Sequence, residues 1–133
     1  MKFWTKGDVC QADYCKLLEL KLRLFDCISK ETSSDPENWS SKNPLYGQGA
    51  VVAMLIQRIF GGKIMKVSLS DISGYEKAGI HYWNKLLYGV EIDLTAEQFG
   101  FGLRNSLPPG EEITKIKDFK KKFESFCMKW GGY

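Results

Sequence analysis

Histidine is almost missing from this sequence: one residue in 133, and the four cysteines Cys10, Cys15, Cys27 and Cys127 include no Cys-x-x-Cys pair. That composition excludes the usual four-ligand zinc arrangements, so no metal and no other cofactor is expected. A surplus of one charge is also lacking, since 19 basic residues face 16 acidic ones for a net +3. So mild a balance gives no footprint for nucleic acid. No apolar run reaches the length that crosses a membrane. No charged start with an apolar core and cleavage site opens the chain, so a cytoplasmic location is expected. Internal repeats and low-complexity segments are absent as well.

What is present argues for a folded globular protein. The hydrophobic share is 44%, four tryptophans are included, and 133 residues is the length of one domain, residues 1–133. From Asp8 to Lys30, Leu17, Leu20, Leu24 and Ile28 recur at helical spacing, which predicts a first helix. Three cysteines fall in it and Cys127 in the last helix, a pattern of buried, reduced thiols. Ser34-Asp35-Pro36-Glu37 reads as a capped single turn within the polar connection Glu31–Leu45, where Trp39 is the one large aromatic side chain. A second helix starts near Gln48 and ends on Gly61-Gly62. It is apolar nearly all round, as a buried helix is. Lys63–Ser70 reads as a strand and Gly100–Gly110 as a loop. Ile116–Trp130 reads as an amphipathic helix whose Lys117, Lys120, Lys121, Lys122 and Lys129 form a solvated face.

Gly79–Thr95 reads as a β-hairpin, with Gly89 at a left-handed loop position. Alternation along the strands puts His81 and Asp93 on one face if the loop length is odd. A three-residue loop, Leu87-Tyr88-Gly89, sets Asp93 opposite Trp83 and makes His81 its diagonal neighbour. A five-residue loop sets His81 and Asp93 directly opposite, and a two-residue turn separates them. A carboxylate beside an imidazole fixes its tautomer and stabilises the imidazolium, as a general base requires. A buried helix starting at Gln48-Gly49 presents free backbone N–H groups and a positive dipole end, which lower a thiol pKa and hold an oxyanion.

The run "ETSSDPENWSSKNPLYGQGAVVAMLIQRIFGGKI" followed by "HYWNKLLYGVEIDLTAEQF" resembles a small family of mostly bacterial proteins known as YunG-like. Its pattern is a Trp-Ser-x-x-Asn-Pro-x-x-Gly-Gln-Cys run opening a helix that ends in Gly-Gly, then His-Tyr-Trp-Asn, then Asp-Leu-Thr-x-x-Gln-Phe. The resemblance covers about Ser29 to Phe99. It implies an α+β fold, with a buried central helix on a small antiparallel sheet, flanked by the N- and C-terminal helices. That is a compact version of the papain-like and transglutaminase-like cysteine hydrolase core. It further implies His81 as general base, Asp93 as its orienting partner, Gln48 as side-chain donor to the oxyanion hole, and Trp39, Trp83 and Asn84 along the cleft. At the family's nucleophile this chain carries Gly49, which cannot attack a carbonyl.

Three functional readings remain at this level. The chain is a cysteine peptidase, amidase or acyltransferase-like domain that has fallen silent, keeping its cleft for a peptide or protein. Alternatively, the natural protein is active and Gly49 is an introduced substitution. In the third reading it is a binding or inhibitory module holding a peptide or an anion at the helix start. Beside these stands the plain reading, in which the glycines turn the chain and His81 is a hydrogen-bonding strand residue. No nucleic acid or membrane partner is expected, and the oligomeric state is left open.

Overall fold

In the computed structural model, which describes residues 2–131, five antiparallel strands form one sheet in the order β1-β4-β3-β2-β5. The strands are β1 (Trp4–Lys6), β2 (Lys63–Ser68), β3 (Ile80–Lys85), β4 (Glu91–Asp93) and β5 (Glu111–Ile113), and the helices are α1 (Gln11–Leu24), α2 (Gly49–Phe60), α3 (Phe101–Asn105) and α4 (Lys120–Trp130). It is a mixed α/β protein. Among the described residues no helix is long and apolar enough to cross a membrane.

Helix α2 is the centre of the fold, and its bounds match those legible in its sequence. Gln48 precedes it, Gly61 closes it with φ 73°, and Val51, Val52, Leu55 and Ile56 are buried along it. Burying each such side chain is worth roughly 1.5–3 kcal/mol. One side of α2 packs on the sheet face carrying Ile64, Tyr82, Asn84 and Ile92. Its other sides meet Leu17, Leu20 and Leu24 of α1 and Phe123, Phe126 and Trp130 of α4. The central helix is therefore buried over most of its length, while Arg58 is exposed and Met54, Gln57, Ile59 and Phe60 are half-buried towards its end.

The expected first helix is shorter than Asp8–Lys30. Cys10 is extended at its start, the chain turns at Cys27 through a bond from its N–H to the Leu24 carbonyl (2.9 Å), and Ser29 is again extended. Ser29 and Thr32 then cap a 3₁₀ turn at Lys30–Thr32. Of the cysteines, Cys27 is buried and Cys127 half-buried, but Cys10 and Cys15 are exposed, Cys10 because it lies in extended chain before α1 and Cys15 because it is off the Leu17–Leu20–Leu24 stripe. All four are free thiols. The predicted turn after Asp35 forms at Pro36–Asn38.

Strand β2 stops at Ser68 rather than Ser70, and the last helix begins at Lys120 rather than Ile116. Ile116 is still buried against Ala50, Ala53 and Tyr82 from the irregular segment before it. The glycine- and proline-rich Gly100–Gly110 segment contains α3. Strands β1 and β5 have three residues each, too few for periodicity to reveal, and both exist through pairing with β4 and β2.

The hairpin closes on Leu87-Tyr88-Gly89: Leu86 donates its N–H to the Val90 carbonyl (2.8 Å), and Gly89 has φ 90°. Of the loops considered, this is the three-residue one. The β3–β4 ladder lasts for two pairs, Asn84↔Ile92 and Lys85↔Glu91, and ends before Trp83.

Candidate functional site

Where that ladder ends, His81 Nε2 lies 2.7 Å from Asp93 Oδ2, with both side chains almost fully buried (3% and 2% exposed). The diagonal relation follows from the three-residue loop, which places Asp93 level with Trp83 and two residues from His81. The imidazole is stacked on Trp83 (centroids 5.5 Å apart, 22°) and meets Phe99 edge-on (4.8 Å, 84°). These rings fix its plane, and Asp93 fixes which nitrogen it turns to the carboxylate.

Four donors converge on Asp93. Oδ2 accepts from His81 and from Arg104 Nε (2.6 Å), and Oδ1 accepts from the Thr95 backbone N–H and hydroxyl (3.0 Å each). Burial pushes this carboxyl up, but the charges and hydrogen bonds of His81 and Arg104 outweigh burial and hold it well below the usual carboxylate range. The site is thus a buried Arg104–Asp93–His81 chain with an ionised carboxylate at its centre.

The other imidazole nitrogen faces α2. A Cβ placed on Gly49 would stand 2.9 Å from His81 Nδ1, 2.9 Å from the Tyr82 carbonyl oxygen and 3.2 Å from His81 Cε1. The first residue of the buried helix therefore sits directly against the nitrogen that Asp93 leaves unused. Glycine permits this approach without displacement, whereas a side chain here would require the imidazole and the Tyr82 carbonyl to shift.

The segment leading into α2 is held on several sides. Gly47 has φ 72°, and a Cβ there would lie 2.2 Å from Ser33 Oγ, so only glycine fits. Its N–H donates to Gln98 Oε1 (3.0 Å), and Gln98 Nε2 donates to Thr95 Oγ1 (3.2 Å). A continuous chain of hydrogen bonds thus joins the turn before α2 to Asp93. Lys21, fully buried on α1, adds an ion pair to Glu97 beside Gln98.

The remaining predicted residues are placed as follows. Gln48 is fully buried, its Nε2 donating to the Ser29 carbonyl (2.8 Å) and its Oε1 accepting from Thr32 Oγ1 (2.7 Å). Its amide is engaged at the junction after α1. Asn84 donates to the Ala53 carbonyl (2.9 Å) and ties β3 to α2. Trp39 donates to the Pro44 carbonyl (2.9 Å) and packs with the Tyr46–Phe99–Leu107 cluster. Trp83 stacks on the His81 ring, and its Nε1 donates to Glu91 Oε1 (2.8 Å).

Arg104 is the site residue that sequence reasoning missed. It lies in a five-residue helix inside a segment read as loop, and no spacing links it to Asp93. Thr95 and Gln98 stand in the Asp-Leu-Thr-x-x-Gln-Phe words of the family pattern, which was the available signal for them. Among the described residues no group of three or more His, Cys, Asp or Glu could hold a metal ion.

A family model described as YunG protein matches residues 16–124. No curated protein and no solved structure matches the chain.

Proposed function

The chain belongs to the YunG family, and from that premise we propose that it keeps the frame of a cysteine-hydrolase site whose nucleophile is missing, and so binds rather than cleaves. One observation carries this reading: position 49, at the start of a buried helix, faces His81 Nδ1 while Nε2 is held by Asp93. A thiol there, with the imidazole and the Tyr82 carbonyl displaced enough to admit its Cβ, would lie beside a base held by Asp93 and at the positive end of a helix dipole. Both features favour the thiolate. Arg104 and Thr95 would keep Asp93 ionised and aimed. The oxyanion donors of this reading are the backbone N–H groups of the first turn of α2, since the Gln48 amide is engaged at Ser29 and Thr32.

As it stands, Gly49 offers no atom to form an acyl-enzyme, and loss of a nucleophile costs roughly 10⁴–10⁶ in rate. Acyl transfer by this chain is expected to be at background. Turnover of an amide or ester that His81→Ala abolishes would overturn that expectation.

Gly49→Cys tests the frame itself. Cys10 and Cys15, the exposed thiols, are first changed to serine, and burial pushes the Cys27 and Cys127 thiols up, which keeps them slow. The new thiol is expected to ionise at least about one unit below the ordinary value of about 8.5. The readouts are ultraviolet thiolate absorbance, which needs no reagent to enter the site, and alkylation rate. His81→Ala in the same background should remove the shift. A thiol titrating at about 8.5 or above, or indifferent to His81, would overturn the reading.

A further inference from the structure

Beyond the dyad, on the sheet face away from α2, a cleft of about 350 Å³ opens beside Arg104. Trp4, Met65, Trp83 and Glu91, contributed by four neighbouring strands, form one side, and Leu107–Gly110 form the other. The guanidinium is packed between the two indoles, with its carbon 3.9 Å from the Trp4 ring centre and 4.5 Å from that of Trp83. Stacking covers the two faces of the cation and leaves its in-plane N–H groups to find acceptors.

Those acceptors are mostly missing. A guanidinium carries five N–H donors, and Arg104 spends one, Nε to Asp93 Oδ2. Its Nη2 is buried with no hydrogen-bond partner, although the residue is only 2% exposed. A buried charged donor without an acceptor is costly, and few survive in folded proteins unless something supplies the acceptor. The bonds made by the cleft's own side-chain acceptors go to its two indoles instead. Glu91, the only acidic side chain lining it, accepts from Trp83 Nε1 and stands across the strand pair from Lys6. The remaining lining combines the polar Lys6 and Asn105, the latter accepting from Trp4 Nε1 (2.8 Å), with the apolar Met65, Leu107, Pro108 and Pro109.

We propose that this cleft binds a small carboxylate with an aromatic or apolar body, the carboxylate pairing with the Nη edge of Arg104 and the body lying against Trp4 and the Pro108-Pro109 wall. A carboxylate matches the guanidinium fork in plane, and an indole favours a flat apolar group. Gly110 belongs to the design: a Cβ there would stand 2.5 Å from Trp83 Cζ2, so glycine lets the indole lie flat under the wall. The proposal goes beyond the missing-nucleophile reading and does not depend on it, because no step involves position 49 or His81.

The test follows the four indole N–H signals by NMR during titration with benzoate and, separately, with a blocked tripeptide ending in phenylalanine. Each acid is paired with its neutral amide. The expected result is that one or both acids move the Trp4 and Trp83 signals and leave Trp39 and Trp130 in place. The amides should bind about tenfold or more weakly, as loss of one charge-assisted pair requires. Which acid binds more tightly assigns the source, a free acid or a chain terminus. Arg104→Lys keeps the charge but not the fork and should erase the preference for acid over amide. Should that variant unfold, the acid–amide comparison on the unmodified protein still decides. Equal response to acid and amide, or no response at Trp4 and Trp83, overturns the proposal.

Discussion

Replacing Asp93 with asparagine preserves shape and removes one acceptor atom, which makes it a sharp test of the buried Arg104–Asp93–His81 chain. In the structure four donors reach the carboxylate, two on each oxygen. An amide can serve only two of them, and its NH₂ must face the other pair donor to donor. If the oxygen stays with Thr95, Arg104 is left as a buried cation without its anion. Breaking a buried pair in this way costs about 3–5 kcal/mol, a large share of the roughly 5–15 kcal/mol available to a domain. With a urea m-value of about 2 kcal/mol per molar, the unfolding midpoint should fall by about 1.5–2.5 M at unchanged m. Acid sharpens the test. The Asp93 carboxyl titrates lower in the folded protein than its unfolded value of about 3.9, so below that range the unfolded chain binds the extra proton. Its contribution is complete above about pH 5 and is lost as pH falls towards the native value. The asparagine variant should lack this part of the acid dependence. A midpoint within about 0.3 M of the parent, or an unchanged acid limb, would refute the argument that Asp93 is an ionised hub.

Two contrasts test packing around the same centre. Gly110→Ala should destabilise by about 1–3 kcal/mol, because its Cβ would lie 2.5–2.6 Å from the rigid Trp83 ring, whereas Gly102→Ala, with nothing within 4 Å, should be neutral or stabilising in the same thermal melts. Gln48→Ala strips the Ser29 carbonyl and the Thr32 hydroxyl of a buried partner. It should cost about 1–3 kcal/mol, read as a melting temperature lower by roughly 3–9 °C; a change under about 1 °C would show that the amide does not hold the start of α2.

Much of the scaffold was legible because it is local. The apolar run from Val51 to Phe60 between Gly-Gln-Gly and Gly-Gly gave α2 both ends, since caps and burial act over a few residues. The hairpin was legible but its register was not: the three- and five-residue loops both put His81 beside Asp93, and the structure takes the three-residue one. Helix lengths at Asp8–Lys30 and Ile116–Trp130 were overdrawn: apolar residues keep helical spacing past the point where the backbone leaves the helix, and Ile28 and Ile116 reach the core from turns.

The sequence by itself determined the family, the buried central helix, the antiparallel hairpin and the absence of a thiol at position 49, for these depend on residue type and short-range order. Tertiary structure decided what surrounds them. Arg104 reaches Asp93 from eleven positions along the chain, Gln48 turns to a segment nineteen residues before it, and β1 and β5 exist only by pairing with distant strands. The packing of α2 against β3, with Gly49 pressed on His81 Nδ1, is likewise a matter of assembly. Contacts of this kind leave no periodic mark in the chain, because each is fixed by what the rest of the fold brings alongside.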